Sequence, residues 1–513
     1  VSDGGVELAP SRAAWYTEQY PTDIMNSALI IIFGITAFAL FLGIRARSGH
    51  DMDLEQWTVG GRSFGTIFVF LLMAGEIYTT FTFLGGSGFA YGKGAPAYYI
   101  LAYGTLAYVI SYWLLPPIWR YAKEENLISQ PHYFAKKFDS PALGLLVALV
   151  GVVALVPYLV LQFKGLGLIV SIASYGSISS TLAVWIGAAV VTVYVMLSGV
   201  RGAAWNAVVK DFVILGIVVF LGIYMPMHYY GGFGAMFDAI EKAKPGFLAF
   251  PARGSSVTWF QSTVLLTALG FFMWPHSFGS VFTARDERIF RRNAIVLPLY
   301  QLILLFVFFV GFAATLQVPG LQGPDIDLSL LKLSIQTFDP WFVGVIGAAG
   351  VMTALVPGSM ILTSAATLLA NDVYRSNLKS DASDAVVRRL AQALVPVIAL
   401  IAVCFTLYGG STIVALLLMG YNFVTQLFPA VVASLLTRNP VTRQGAFCGI
   451  LTGAIAVAAI TLTKSTLGGL FPFLPESLQD LNVGMVALVI NLCVTAIVSA
   501  LTQQGLTRAP SRA

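Results

Sequence analysis

The sequence predicts an all-α polytopic membrane protein of about 13 transmembrane helices, and three observations carry that prediction. Hydrophobic residues make up 57% of the 513-residue chain and charged residues only 10%, with a mean hydropathy of +0.81. A soluble domain carries roughly 25% charged residues, so this chain has too few to coat a surface facing water. Apolar runs of about 20 residues, enough to cross a bilayer, recur along nearly the whole length. The third observation is where the remaining Lys and Arg fall, because they gather in alternate loops.

The spans follow from the apolar runs in order. The first covers 22–45. The second, 63–91, holds Glu76, Thr79, Thr80 and Thr82 ahead of a glycine-rich segment, Gly85-Gly86-Ser87-Gly88, where a break is expected. The third and fourth cover 95–119 and 141–173. The fifth and sixth, 181–199 and 203–226, are divided by a very short turn at Ser198-Gly199-Val200-Arg201-Gly202. The seventh, 257–283, is interrupted at Gly270, Met273-Trp274-Pro275-His276 and Gly279. The eighth to eleventh cover 292–317, 341–370, 386–408 and 410–438, and two more follow at 443–465 and 482–503.

With the N-terminus outside, 20 Lys and Arg fall in inner loops and 7 in outer segments, leaving Lys164 and Lys210 inside spans. This imbalance predicts a multi-pass protein of a bacterial inner (cytoplasmic) membrane, N-terminus outside and C-terminus inside. The net charge of +5 is then loop bias, and no nucleic-acid partner is expected. Residues 1–22 lack the basic-then-apolar pattern of a cleaved signal. Cys404, Cys448 and Cys493 fall in spans, with neither metal-ligand nor disulfide spacing. There is no Walker loop, no His/Glu zinc pattern and no selectivity-filter repeat, so neither an enzyme nor a channel is expected.

A carboxylate at bilayer depth costs a few kcal/mol and tends to mark a pathway or a binding site. Helix interruptions at that depth occur where freed backbone is buried in protein or lines a cavity. The interrupted spans, the second and the seventh, lie five apart. Two five-helix units in sequence would therefore be inserted with opposite topology, the condition for an inverted repeat.

Several segments resemble the sodium/solute symporter family. They are Gly60-Gly61-Arg62-Ser63-Phe64-Gly65, the Leu127–Phe138 element with its Gln130-Pro131-His132-Tyr133, and the junction from Tyr194 to Trp205. Gly75–Thr82, Trp274-Pro275-His276-Ser277 and Ala354-Leu355-Val356-Pro357 look most like its bacterial monocarboxylate permease branch. The resemblance implies a LeuT-type 5+5 inverted repeat in a single domain spanning 1–513, with repeats at 63–226 and 257–438. One extra helix, 22–45, precedes them and two, within 443–503, follow. It also implies alternating access, with solute held at the midplane between the two interrupted helices.

Sodium-coupled members hold the ion with carbonyls of the first interrupted helix and two hydroxyls of the eighth core helix. Alignment on Asn371-Asp372-Val373-Tyr374 places Val356 and Pro357 at those hydroxyl positions. It places Thr353 at the neighbouring alanine, and Met73 and Glu76 at the carbonyl positions. The family's Thr-Asp-x-x-Gln reads Asn206-Ala207-Val208-Val209-Lys210. With no metal site of the usual kind, the expected coupling ion is H⁺, carried by Glu76, with Na⁺ as the alternative; no cofactor is expected. Desolvation favours the neutral form of a carboxyl group, which suits one that takes up and releases a proton. Glu76 could instead form a fixed ion pair with Lys164 or Lys210, or ligate sodium itself.

The expected function is a symporter that imports a small organic anion, in the first place a short monocarboxylate such as lactate, pyruvate, acetate or propionate. A sodium-coupled symporter of an amino acid or another small metabolite is the alternative. A transporter-like solute sensor is the remote one, since only about ten residues follow the last span. Candidate solute contacts are Thr79, Thr80, Thr82, Gln162, Lys164, Trp274, His276 and Gln426. Partners are the organic anion and the bilayer, with no obligate protein partner evident.

Overall fold

A computed structural model describes residues 22–47, 53–463 and 465–507. Among these the regular structure is helical, apart from an isolated parallel bridge between Phe64 and Ala284. In chain order the main helices are α1 (Thr22–Arg47), α2 (Thr66–Gly75), α3 (Ser87–Lys93), α4 (Tyr99–Glu124), α5 (Gln130–Lys137) and α6 (Pro141–Ala173). Then come α7 (Ser180–Tyr230), α8 (Val257–Gly270), α9 (Pro275–Val281), α10 (Arg288–Gln301), α11 (Leu304–Gln317) and α12 (Pro340–Thr367). The last are α13 (Asp384–Tyr408), α14 (Ile413–Val424), α15 (Phe428–Leu435), α16 (Arg443–Leu462) and α17 (Val483–Thr507).

Among the described residues, nine helices are long and apolar enough to cross a membrane, or ten if the bent pair α8 and α9 counts as one span. Shorter apolar helices at Ser27–Gly43, Thr66–Gly75 and Ser180–Met196 accompany them. The run Pro340–Arg375 forms the centre: its apolar window is 94% buried, against 33% for α13, α16 and α17. It packs on α1, α6 and α7, whereas α16 and α17 pack chiefly on each other at the periphery.

Two expectations need correction. The turn at 198–202 is helical, so α7 runs unbroken from Ser180 to Tyr230; the side chains of 197–201 lie outside the described residues. No proline interrupts that junction, and glycine is tolerated inside a helix. The second correction concerns Gly85-Gly86-Ser87-Gly88, which is also helical: Gly85 and Gly86 close a π-helical segment, Phe81–Gly86, and Ser87 opens α3. The interruption falls earlier, as a turn at 76–79. Glycine serves close packing there instead, since a Cβ on Gly88 would lie 2.7 Å from the Ile326 carbonyl oxygen.

Candidate substrate and ion site

The two interrupted spans are linked where the first begins and the second ends. Phe64 N donates to Thr283 O at 3.0 Å and Arg285 N to Phe64 O at 3.1 Å. The second break follows from Pro275. The residue before a proline is driven to extended backbone, and Trp274 has φ −62° and ψ 134°. The axis bends by 56° there, and Pro275 opens α9 at the position where a missing N–H costs nothing.

The first break turns several carbonyls out of the helix ladder, and a buried carbonyl needs a donor. Met73 O accepts from Tyr108 OH at 2.9 Å, and Glu76 O from Tyr158 OH at 3.3 Å. Ile77 O accepts from Thr82 Oγ1 at 2.8 Å, and Thr79 Oγ1 accepts from Phe81 N at 3.1 Å. Gly75 O and Tyr78 O accept from Lys210 Nζ of α7, at 3.0 and 3.1 Å. Lys210 Nζ also pairs with Asp211 Oδ1 at 3.0 Å, and both side chains are buried. An ammonium has three N–H donors, and here it has three oxygen partners.

Glu76 is buried, and neither carboxylate oxygen has a hydrogen-bond partner among the described residues. Ser277 and Ser280 of α9 face it without closing a hydrogen bond, and Lys210 acts on it through space. Glu76 therefore looks towards the second break. Val356 instead packs in an apolar cluster with Leu71, Ala207, Met352 and Ala39. Residues five apart on a helix sit about 140° apart around it, so Leu71 and Glu76 cannot share a face.

An aromatic wall closes the space between the breaks. Tyr158 lies 4.8 Å from Trp274 and 5.3 Å from His276 between ring centroids, and Trp274 lies 5.2 Å from Tyr421. Buried polar atoms in this region have no hydrogen-bond partner among the described residues: Trp274 Nε1, His276 Nδ1, Thr80 Oγ1 and both side-chain amide atoms of Gln162. Of these residues His276 lines a cavity of about 30 Å³, together with Leu72, Ser129, Gln130, Ser280 and Thr363. That is room for a few water molecules.

A scan against family models matches residues 57–453 to the sodium:solute symporter family. The chain belongs to that family. The symporter is thus a secondary transporter and not an enzyme, a multi-pass membrane protein that binds a small solute. Over 489 residues it is 64% identical to the uncharacterized symporter YhjB of Bacillus subtilis (strain 168), covering 95% of this chain and all of that one. It is 29% identical over 517 residues to a monocarboxylate transport permease protein of Rhizobium johnstonii, covering 96% and 100% of the two chains. Its fold is shared with a solved Na⁺-coupled sialic acid symporter, a LeuT-type protein (TM-score 0.75, 16% identity, 93% of this chain and 98% of that one).

Other residues singled out in the symporter's sequence have different surroundings from those expected. Lys164 pairs with neither Glu76 nor an open cavity: its Nζ lies 2.6 Å from Asp327 Oδ2 and donates to Ser411 O at 3.0 Å. Gln426 Nε2 donates to Asn422 O and Gly484 O, and its Oε1 accepts from Asn491, which ties it to α17. The Thr79 and Thr82 hydroxyls serve the break's own turn. Thr353 Oγ1 donates to Gly350 O at 2.6 Å, within its own helix. Met73 O is engaged by Tyr108.

Asp211, Asp327, Tyr108, Ser277 and Ser280 carry much of this geometry and were not singled out by sequence. Asp211 was within reach, because Lys210-Asp211 is an adjacent charge pair in an apolar run. Asp327 sits in a segment between spans that folds back onto the bundle, where its Oδ2 accepts from Ile413 N at 3.0 Å. Hydropathy assigns such a residue to a solvated loop.

Proposed function

We propose that this symporter imports a short monocarboxylate by alternating access, coupled to protons through Glu76. The observation that carries the reading is the Glu76 carboxylate, buried between the two breaks with both oxygens lacking a hydrogen-bond partner among the described residues. An isolated buried carboxylate is expensive, and taking up a proton relieves that cost. Val356 and Pro357 offer no side-chain oxygen to sodium, which favours the proton over the metal ion. Anion recognition is assigned to Trp274 Nε1 and His276 Nδ1 with Gln162 and Thr80, polar groups without a hydrogen-bond partner among the described residues. The similarity to the Rhizobium permease along the whole chain supports the solute class.

The reading includes two five-helix repeats of opposite topology within about 13 spans, in a bacterial inner membrane with the N-terminus outside. Sodium-coupled uptake of an amino acid or other metabolite is the second reading, favoured by the family's sodium-coupled members. Uptake by proteoliposomes across a panel of short-chain acids and amino acids, with and without sodium and with an imposed pH gradient, separates the two. Lactate- or acetate-type solutes accumulating on a pH gradient without sodium is the expected result. Strict sodium dependence at fixed pH sinks proton coupling, and preference for amino acids sinks the solute class.

A further inference from the structure

We infer that the Lys210 ammonium is the resident cation of the first helix break, so that the transport cycle takes the positive charge at this point from the protein itself. The break leaves two carbonyl oxygens, Gly75 O and Tyr78 O, converging on one point, and a carboxylate, Asp211 Oδ1, completes the set. Carbonyls turned out of a helix inside a membrane form a ready-made cation site, because no water is there to satisfy them. At 3.0 to 3.1 Å from all three oxygens, Nζ occupies that site.

Three features mark the arrangement as built for an ammonium. Lys210 is fully buried, donates to both carbonyls and forms an ion pair with Asp211. Asp211 is buried as well, and among the described residues its ion-pair partner is Lys210. Gly75 is small where it must be: a Cβ there would stand 2.9 Å from Nζ, so any larger residue would displace the ammonium. The apolar cluster of Leu71, Ala207, Met352 and Val356 supplies no competing oxygen from side chains on α12. Lys210 is therefore a positioning residue: it holds the break that carries Glu76, one residue beyond Gly75, through the carbonyls on either side of it.

This inference is independent of which solute is carried. The test uses Lys210→Ala, which removes the atoms of one n-propylammonium ion and leaves the oxygens in place. In proteoliposomes, turnover of the variant is expected to fall about tenfold or more, with KM within about threefold of the wild type. Added n-propylammonium should restore turnover saturably, whereas tetramethylammonium, which has no N–H to donate, should not. The purified variant should also gain thermal stability saturably with n-propylammonium, and the wild type should not. A lysine with only a packing role would alter stability without making turnover depend on an added amine.

Lys210→Met/Asp211→Asn covers the case in which the alanine variant does not fold, because it keeps the side chain out to the fourth atom and removes both charges. Turnover in it is expected to fall about tenfold or more. Wild-type turnover in either variant, or a loss in Lys210→Ala that no amine recovers, overturns the inference. The thermal measurement involves no solute, so a wrong assignment of the carried anion appears only as absent uptake by the wild type.

Discussion

Lys164 of α6 and Asp327, in the segment between α11 and α12, form an ion pair at 2.6 Å that joins that segment to the bundle. Asp327 is fully buried and also accepts from Ile413 N at the start of α14, so one carboxylate fastens three elements. Removing one partner of such a pair strands the other charge and costs about 3 to 5 kcal/mol, whereas removing both is milder. Asp327→Ala is expected to lower the thermal midpoint more than Lys164→Met/Asp327→Ala does. A double variant at least as unstable as the sum of the two singles would show that the charges do not act as a pair.

Glu76→Gln keeps the shape of the side chain and removes its titration. Accumulation driven by a pH gradient should fall about tenfold or more, while exchange of labelled for unlabelled solute stays within about threefold. Net accumulation that still follows the pH gradient in the variant would assign Glu76 a structural role.

Thr80 packs closely on Gly165 of α6, where an added Cβ would overlap the Thr80 methyl carbon. Gly165→Ala should destabilise the protein by about 1 to 3 kcal/mol through overpacking at the first break. Thr80→Ser removes the clashing methyl group, so the double variant should recover part of the loss. Thermal unfolding of the four proteins tests this, and equal midpoints for Gly165→Ala and the wild type would refute the close contact.

His132, on α5 outside the membrane spans, gives a pH signature. Burial, reinforced by Lys136 and Arg375 and opposed by Glu125, holds its imidazole below the ordinary value of 6.5. The unfolded chain then takes up the proton first as pH falls. Stability from the neutral ring is complete above about pH 6.5 and is lost as pH drops below it, at up to about 1.4 kcal/mol per pH unit. His132→Gln should flatten the thermal midpoint between about pH 5 and about pH 7. An unchanged acid slope in the variant would place the titrating group elsewhere.

The elements legible in advance were those set by local chemistry. Trp274-Pro275 announced the second break, because a proline restricts its predecessor wherever it stands. The first break was placed wrongly at Gly85-Gly86-Ser87-Gly88, since glycine marks close packing as readily as a bend. Lys164 and Gln426 were visible as polar residues in apolar runs, but a run does not say which neighbour it meets. Asp327 and Asn491 supply those neighbours from more than 60 residues away along the chain.

Composition and the spacing of apolar runs by themselves determined that this chain is a helical membrane protein, because the bilayer dictates both span length and polarity. Its motifs determined the family, and Glu76 stood out because a charge in such a run is costly. Only the tertiary structure decided what surrounds Glu76. It turned the carboxylate towards Ser277 and Ser280 instead of Val356, and gave the neighbouring carbonyls to Lys210. Those relations depend on how separate helices rotate and pack against one another, and that is fixed by contacts across the whole bundle.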